Sequence, residues 1–296
     1  MPSKNALVAC GSLLLTIAAG ANVAQAANPM GIAWKYTTNV AQYGKPTGVL
    51  IAGRCNWKDS AFAAARAKGA EVLVYIAPTE RPDHRVCDLD TQFYMNNLGA
   101  VPLWPYPSYG QRSGWPNTRM TDMRAGSAWI QHVVRHVERL MREGKVDGVY
   151  LDSVGARRWG RLAQWDSWPQ SEKDRWTDGN IDLVRRLDAK RRAINPDFII
   201  VNNNTWDRGD SRGFAAEQYV DGINLEHPTT STYHKKYVAR KFSNLGHRRV
   251  FVTANNRSEA LMWAKVPGVT HVSDQTSSQY KHPNPPVVSF TRLNDR

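Results

Sequence analysis

The feature that most limits how this chain can fold is an alternation of eight short apolar, β-branched runs with segments of helical periodicity. The runs cover 31–36, 48–52, 72–76, 146–152, 198–202, 220–226, 250–254 and 269–273. Helices are predicted over 59–68, 125–143, 176–194, 233–245 and 258–264. Gly69, Gly144 and Gly246 stand just past three of these helix ends, where a left-handed cap is expected. Strands joined by such crossovers run parallel. Eight of them, in the roughly 270 residues left after a leader is removed, fit a (β/α)8 barrel better than an open doubly wound sheet. No G-x-G-x-x-G follows any strand and no P-loop is present, so a Rossmann reading fails. The first crossover is too short for a helix, which predicts a somewhat irregular barrel. The chain has 296 residues and is 42% apolar, enough for one large core. No low-complexity segment, linker or tandem repeat divides it, so residues 27–296 are expected to form a single domain.

An internal echo points to the chemistry. Residues 146–152 read V-D-G-V-Y-L-D and residues 220–226 read V-D-G-I-N-L-E. Alternate residues of a strand share a face, so Gly148, Tyr150 and Asp152 point one way and Val149 and Leu151 the other. Gly222, Asn224 and Glu226 likewise oppose Ile223 and Leu225. With the aliphatic face against outer helices, Asp152 and Glu226 become the last inward residues of the fourth and sixth strands. That is the carboxyl-terminal mouth, where barrel enzymes place their sites. Two carboxyl groups facing each other there are the parts needed for glycosidic cleavage, one as proton donor and one as nucleophile or base. Asp147 and Asp221 lie about 16 Å of strand away, at the opposite end, and are read as strand-entry residues.

The segment G-K-V-D-G-V-Y-L-D-S, the W-P-N-T-R-M-T-D stretch from Trp115 to Asp122, the V-L-V-Y-I strand holding Tyr75 and the later D-G-I-N-L-E resemble glycoside hydrolase family 114 and allied glycosyl-hydrolase-like barrel families. The resemblance spans most of the mature chain, with the D-G-x-x-L-D block its distinctive part. It implies an endo-α-galactosaminidase-like activity, with an Asp after strand four and a Glu after strand six as the catalytic pair. Those positions fall on Asp152 and Glu226. Within the wider group of retaining α-glycosidase barrels, Asp152 would be the nucleophile and Glu226 the acid/base. Family 114 tends to carry a G-E loop after strand three, where this chain has Ala77, Pro78, Thr79 and Glu80, so the sugar stays open.

The amino terminus sets the compartment. Lys4 precedes an apolar run from Ala6 to Ala19, and Ala24, Gln25 and Ala26 read as an A-x-A cleavage site, which makes residues 1–26 a secretory signal peptide. The run is too short for a comfortable membrane span, and Cys10 falls within the removed peptide. A periplasmic or secreted protein is expected, in which the remaining Cys55 and Cys87 can form a disulfide or stay as two buried thiols. Lys plus Arg total 39 against 26 acids, a formal charge of +13, or +12 once Lys4 is removed. Export takes such a chain away from chromosomal DNA. An exported barrel with a carboxylate pair points to a poly- or oligosaccharide partner, the charge extending the range to anionic polymers, with no nucleic acid, and the protein is expected to be a monomer.

Further candidates gather at strand ends and loops. Lys35, Tyr75, Tyr150, Asp122, Trp115, Trp206 and Asn202 form the candidate substrate-binding set, Asn202 being chosen from the Asn202–Asn204 run that ends the fifth strand. Trp104, Trp159, Trp165 and Trp168 also fall in predicted loops and could stack on a sugar. Asp122 could equally favour the start of the next helix. Basic clusters at 185–192 and 235–241 read as solvated helix faces, while Arg157, Arg158 and Arg161 follow Asp152 on a predicted mouth loop and could meet an anionic polymer. His132 and His136 have metal-pair spacing, but Val133 breaks H-E-x-x-H, so no metal or other cofactor is expected. The leading expectation is a secreted glycosidase. Its alternatives are a non-catalytic carbohydrate-binding barrel and, further off, a metal-dependent deacetylase or phosphodiesterase.

Overall fold

A computed structural model describes residues 30–35, 48–53, 58–82, 101–105, 118–157, 162–203, 216–226, 228 and 249–273, without the side chains of 30–35, 82 and 162–164. The signal peptide, the predicted 233–245 helix, Gly246, Cys55, Cys87, Trp115, Trp159, Trp206, Arg158, Arg161 and the Lys35 side chain lie outside that description.

Eight parallel strands close into a barrel. They are β1 (Met30–Lys35), β2 (Val49–Ala52), β3 (Glu71–Ile76), β6 (Gly148–Asp152), β7 (Ile199–Asn203), β8 (Gly222–Glu226), β9 (Arg249–Thr253) and β10 (His271–Ser273), with β10 pairing back onto β1. Each lies within two residues of its predicted run at either end. Around it stand α1 (Asp59–Ala67), α2 (Ala128–Glu143), α3 (Leu162–Ser167), α4 (Gln170–Ile194) and α5 (Arg257–Trp263). A two-stranded antiparallel ribbon of β4 (Glu80–Pro82) and β5 (Thr118–Met120) follows β3 and has no counterpart in the predicted elements.

Strand parity divides the core in two. Leu73, Tyr75, Tyr150, Ile199, Val201 and Phe251 pack together inside the barrel. Val72, Val74, Val149, Leu151, Ile200, Ile223 and Leu225 form part of the larger outer core with the helices. The helices follow from their own residues. Ser127 caps α2 by accepting from the Ile130 amide at 3.1 Å, and Ile130, Val133, Val137 and Leu140 make its buried stripe. Gly144 ends α2 in the left-handed conformation at φ 62°. α4 begins six residues earlier than its predicted start at 176, opened by Pro169 with Glu172 in its first turn.

The D-G halves of the echo are fold devices at the foot of the barrel. The Asp147 carboxylate accepts from the Val72 amide of β3 at 2.8 Å, and Asp221 accepts from the Ile200 amide of β7 at 2.8 Å. Each also binds an arginine, Arg66 for Asp147 at 3.0 Å and Arg191 for Asp221. The glycines answer close packing, since a Cβ on Gly148 would stand 2.2 Å from the Ile199 carbonyl oxygen and one on Gly222 would stand 2.9 Å from that of Arg249.

Candidate active site

Parity and register bring the acids together at the mouth. Asp152 is registered with Asn203 across β6 and β7, and Asn203 with Asn224 across β7 and β8, while Glu226 ends β8 opposite Thr253. Asp152, Asn203 and Glu226 are all half-buried. The Asn203 Nδ2 donates to Asp152 Oδ1 at 2.8 Å and to Glu226 Oε2 at 2.7 Å. Two oxygens that close to one nitrogen can stand no further apart than the sum of those distances, 5.5 Å.

Asp152 is held from other sides as well. The Tyr75 hydroxyl donates to its Oδ2 at 2.5 Å, and Ser153 donates through both its amide and its side chain. Ser153 reaches that position in the left-handed region, at φ 59°, a conformation that costs a non-glycine residue about 1–3 kcal/mol. Burial raises the Asp152 carboxyl above the ordinary carboxylate range, and the hydrogen bonds from Tyr75, Asn203 and Ser153 work against the rise.

Below the pair lies a polar floor. Thr253 Oγ1 donates to Asn224 Oδ1 at 3.2 Å, while Asn224 Nδ2 donates to Asn203 Oδ1 at 3.0 Å and to the Tyr150 hydroxyl at 2.9 Å. Tyr150 is fully buried and stacks on Tyr75 at 6.0 Å. It therefore supports the mouth from beneath, a correction to its place among the substrate contacts. Asn202 is corrected too. It takes the helix-facing parity of β7, is fully buried and donates to the Val154 carbonyl at 3.0 Å, leaving Asn203 as the inward residue.

Asp122 is buried and gives both carboxylate oxygens to Arg124, each at 2.8 Å, while α2 takes its cap from Ser127. Its carboxylate is thus engaged by Arg124, and the start of α2 is capped without it. Trp104, Trp165 and Trp168 are buried, and with Trp176 they form an aromatic cluster in which Trp104 stacks on Trp168 at 5.7 Å and meets Trp176 edge-on at 5.3 Å. Their indole area goes into packing α3 and the segments around Trp104 and Trp168 against α4. Arg157 is partly covered and pairs with Asp166 at 3.3 Å. The Ala77–Glu80 loop is pinned at the Pro78 carbonyl, which accepts from Thr121 Oγ1 at 2.6 Å and from Trp129 Nε1 at 2.7 Å.

Among the described residues no group of three or more His, Cys, Asp or Glu side chains could hold a metal ion, and no helix is long and apolar enough to cross a membrane. His132 stacks on Trp129 at 5.7 Å, and His136 is buried with Nδ1 against Arg139.

Fold and site together define a (β/α)8 barrel with a carboxylate pair at its carboxyl-terminal mouth. No protein-family profile and no curated protein matches the sequence. Among solved structures the chain is similar to the glycoside hydrolase domain of PelA from Pseudomonas aeruginosa, with TM-score 0.56 and 12% identity over 88% of this chain and 97% of that one. It is also similar to Ega3 from Aspergillus fumigatus, solved in complex with galactosamine, with TM-score 0.56 and 14% identity over 90% of this chain and 96% of that one. At such identities the likeness is one of fold, a barrel of the kind that glycoside hydrolase domains use.

Proposed function

We propose that this protein is an exported, retaining glycoside hydrolase acting on a polysaccharide or oligosaccharide, with Asp152 as nucleophile and Glu226 as acid and base. The observation that carries this reading is the Asn203 amide nitrogen shared by both carboxylates. Its limit of 5.5 Å applies to their facing oxygens, which brings the two groups close enough for the roughly 5–5.5 Å of a retaining pair, the outcome the proposal adopts. Donors on both oxygens of Asp152 favour its charged form, which is the form a nucleophile needs.

In the first step Glu226 gives its proton to the glycosidic oxygen as an Asp152 oxygen bonds to the anomeric carbon, releasing the leaving chain. In the second, Glu226 takes a proton from water, the hydroxyl attacks the anomeric carbon, and the bond to Asp152 breaks. These steps ask for no cofactor.

The resemblance to family 114 and the fold shared with a protein solved with galactosamine put amino-sugar polymers first among substrates. The formal charge of +13 adds anionic polymers to the panel. Export through residues 1–26, a Cys55–Cys87 disulfide and a monomeric state belong to the same reading. The test is release of reducing ends by the mature chain from amino-sugar, galactose and arabinose polymers. Asp152→Asn and Glu226→Gln should each reduce release to background while keeping the unfolding midpoint. Full activity in both variants would overturn the proposal. Glycan binding that survives both changes, with no product from the unaltered chain, would make the barrel a binding protein instead.

A further inference from the structure

Building on that reading, we propose that Ser153 is a positioning residue: the turn leaving β6 is gripped from outside the barrel, which holds Ser153 left-handed and keeps its amide and hydroxyl on the Asp152 carboxylate. Ser153 stands at φ 59°, and among the described residues every other positive φ belongs to a glycine. A residue with a Cβ persists there only where its surroundings fix the chain on both sides. On one side Asp152 ends β6, registered with Asn203 of β7. On the other, Val154 and Ala156 sink their side chains into the outer core, and Asn202 donates to the Val154 carbonyl at 3.0 Å. The Thr177 hydroxyl of α4 donates to the Ala156 carbonyl at 2.8 Å, a bond it shares with the Lys173 carbonyl of its own helix at 3.0 Å. Asn202 and Thr177 are buried, so water does not readily take their place. Asn202, which does not face the mouth, thus reaches the site through the backbone.

The grip turns Ser153 back on its neighbour. Its amide and its side chain both bond to the Asp152 carboxyl, and toward an ionised carboxylate a hydroxyl can only donate. Tyr75 and Asn203 hold the two carboxylate oxygens from β3 and β7, and Ser153 adds donors from the next residue of the chain. The carboxylate is therefore fixed from three directions. A glycine would stand at this φ without strain. The serine instead keeps a buried hydroxyl beside Asp152, at a cost to stability. Tyr75, which bonds to Asp152, and Glu226, which shares Asn203 with it, are the titratable groups of this network and are present in every variant compared below.

The experiment compares the whole mature chain with three variants. Ser153→Ala loses the hydroxyl and keeps the strain, Ser153→Gly loses both, and Asn202→Leu frees the Val154 carbonyl while leaving the partners of Asp152 in place. A carbon-13 NMR titration of the carboxyl groups needs no substrate, the Asp152 signal being the one absent from Asp152→Asn. In Ser153→Ala the Asp152 titration should move up by as much as about one pH unit, the effect of removing one donor from the charged form. In Asn202→Leu it should move less, in the same direction. In urea, Ser153→Gly should unfold at a higher midpoint than Ser153→Ala, because glycine bears the left-handed conformation without strain. On the polymer that the unaltered chain cleaves best, at a pH where Asp152 is charged throughout, both Ser153 variants should lower kcat about 10-fold or more with KM little changed. Unmoved titrations or unchanged kcat in both Ser153 variants would overturn the proposal. Movement in those two without any in Asn202→Leu would overturn the grip, and if Asn202→Leu does not fold, the urea midpoints of the Ser153 pair judge the strain instead. Loss of hydrolysis in Asp152→Asn and Glu226→Gln alongside unmoved titrations would sink the role of Ser153 alone. Full hydrolysis in those two variants would sink the glycosidase reading and leave the titrations and midpoints to judge Ser153.

Discussion

Asp152 is asked to be charged in a place that disfavours charge. Burial raises its carboxyl, and the Tyr75 hydroxyl, the Asn203 amide and the Ser153 donors hold it back. Each donor binds the ionised form better than the neutral one, so removing a donor lets the pKa climb further. In Tyr75→Phe the acid limb of the kcat/KM profile, which in the proposed mechanism reports ionisation of Asp152, should therefore move to higher pH. A limb that stays in place or moves to lower pH would show that Tyr75 does not stabilise the charge. A neighbouring pair of residues marks how far the sequence reaches at this scale. In the Asn202–Asn204 run the residue type is constant, and only the register of β7 against β6 decides which side chain faces inward. That register places Asn203 opposite Asp152, so the expectation for Asn202 erred by one residue and therefore by a whole face. The last inward position of the neighbouring strand was the available signal.

Among the elements, the echo splits into two jobs that the sequence presents as one motif. The D-G half shapes the foot of the barrel and the terminal acid stands at the mouth. The foot makes a direct prediction. Gly148→Ala should destabilise more than Gly222→Ala, because its Cβ would come within 2.2 Å of a backbone oxygen against 2.9 Å. Losses of about 1–3 kcal/mol or more are expected for such overpacking, measured by urea unfolding. Equal midpoints for both variants and the unaltered chain would contradict it. The cap of α2 supports a smaller prediction, since Ser127→Ala removes the acceptor for the Ile130 amide and should cost about 1 kcal/mol in the same measurement. Strand periodicity made the eight barrel strands legible almost residue by residue. The β4–β5 ribbon was not, because three-residue strands carry too little alternation to stand out. The tryptophans misled for a related reason. A tryptophan outside the strands reads the same whether it stands out in solvent or folds back, and here Trp104 and Trp168 fold back onto Trp176 while Trp165 of α3 packs on Trp168.

Across the whole molecule, part of the surplus of positive charge serves as fold glue. On α4, Arg185 and Arg186 pair with Asp182, Arg191 with Asp188 and Asp221, Arg192 with Asp188, and Lys190 reaches Glu138 on α2. The 185–192 cluster is thus more than the solvated face it was expected to be, because Arg191 is buried and ties α4 to the foot of β8. The barrel interior also carries a pH signature. His271, buried beside Phe251, is pushed down from 6.5 to about 3 by desolvation and then by the Arg249 charge. Between those limits the unfolded chain binds a proton that the fold refuses, so stability should rise with pH from about 3 to about 6.5. The span is on the order of 5 kcal/mol. Denaturant unfolding across that window should show a shallower slope in His271→Gln, and an unchanged slope would contradict the assignment. The central claim, that Asp152 and Glu226 cleave a glycosidic bond by double displacement, is tested most directly by proton NMR of the reducing end in the first minutes of polymer cleavage. The anomer that appears first should be that of the linkage broken, with none formed by Asp152→Asn. First appearance of the opposite anomer, or undiminished release by Asp152→Asn, would contradict the account.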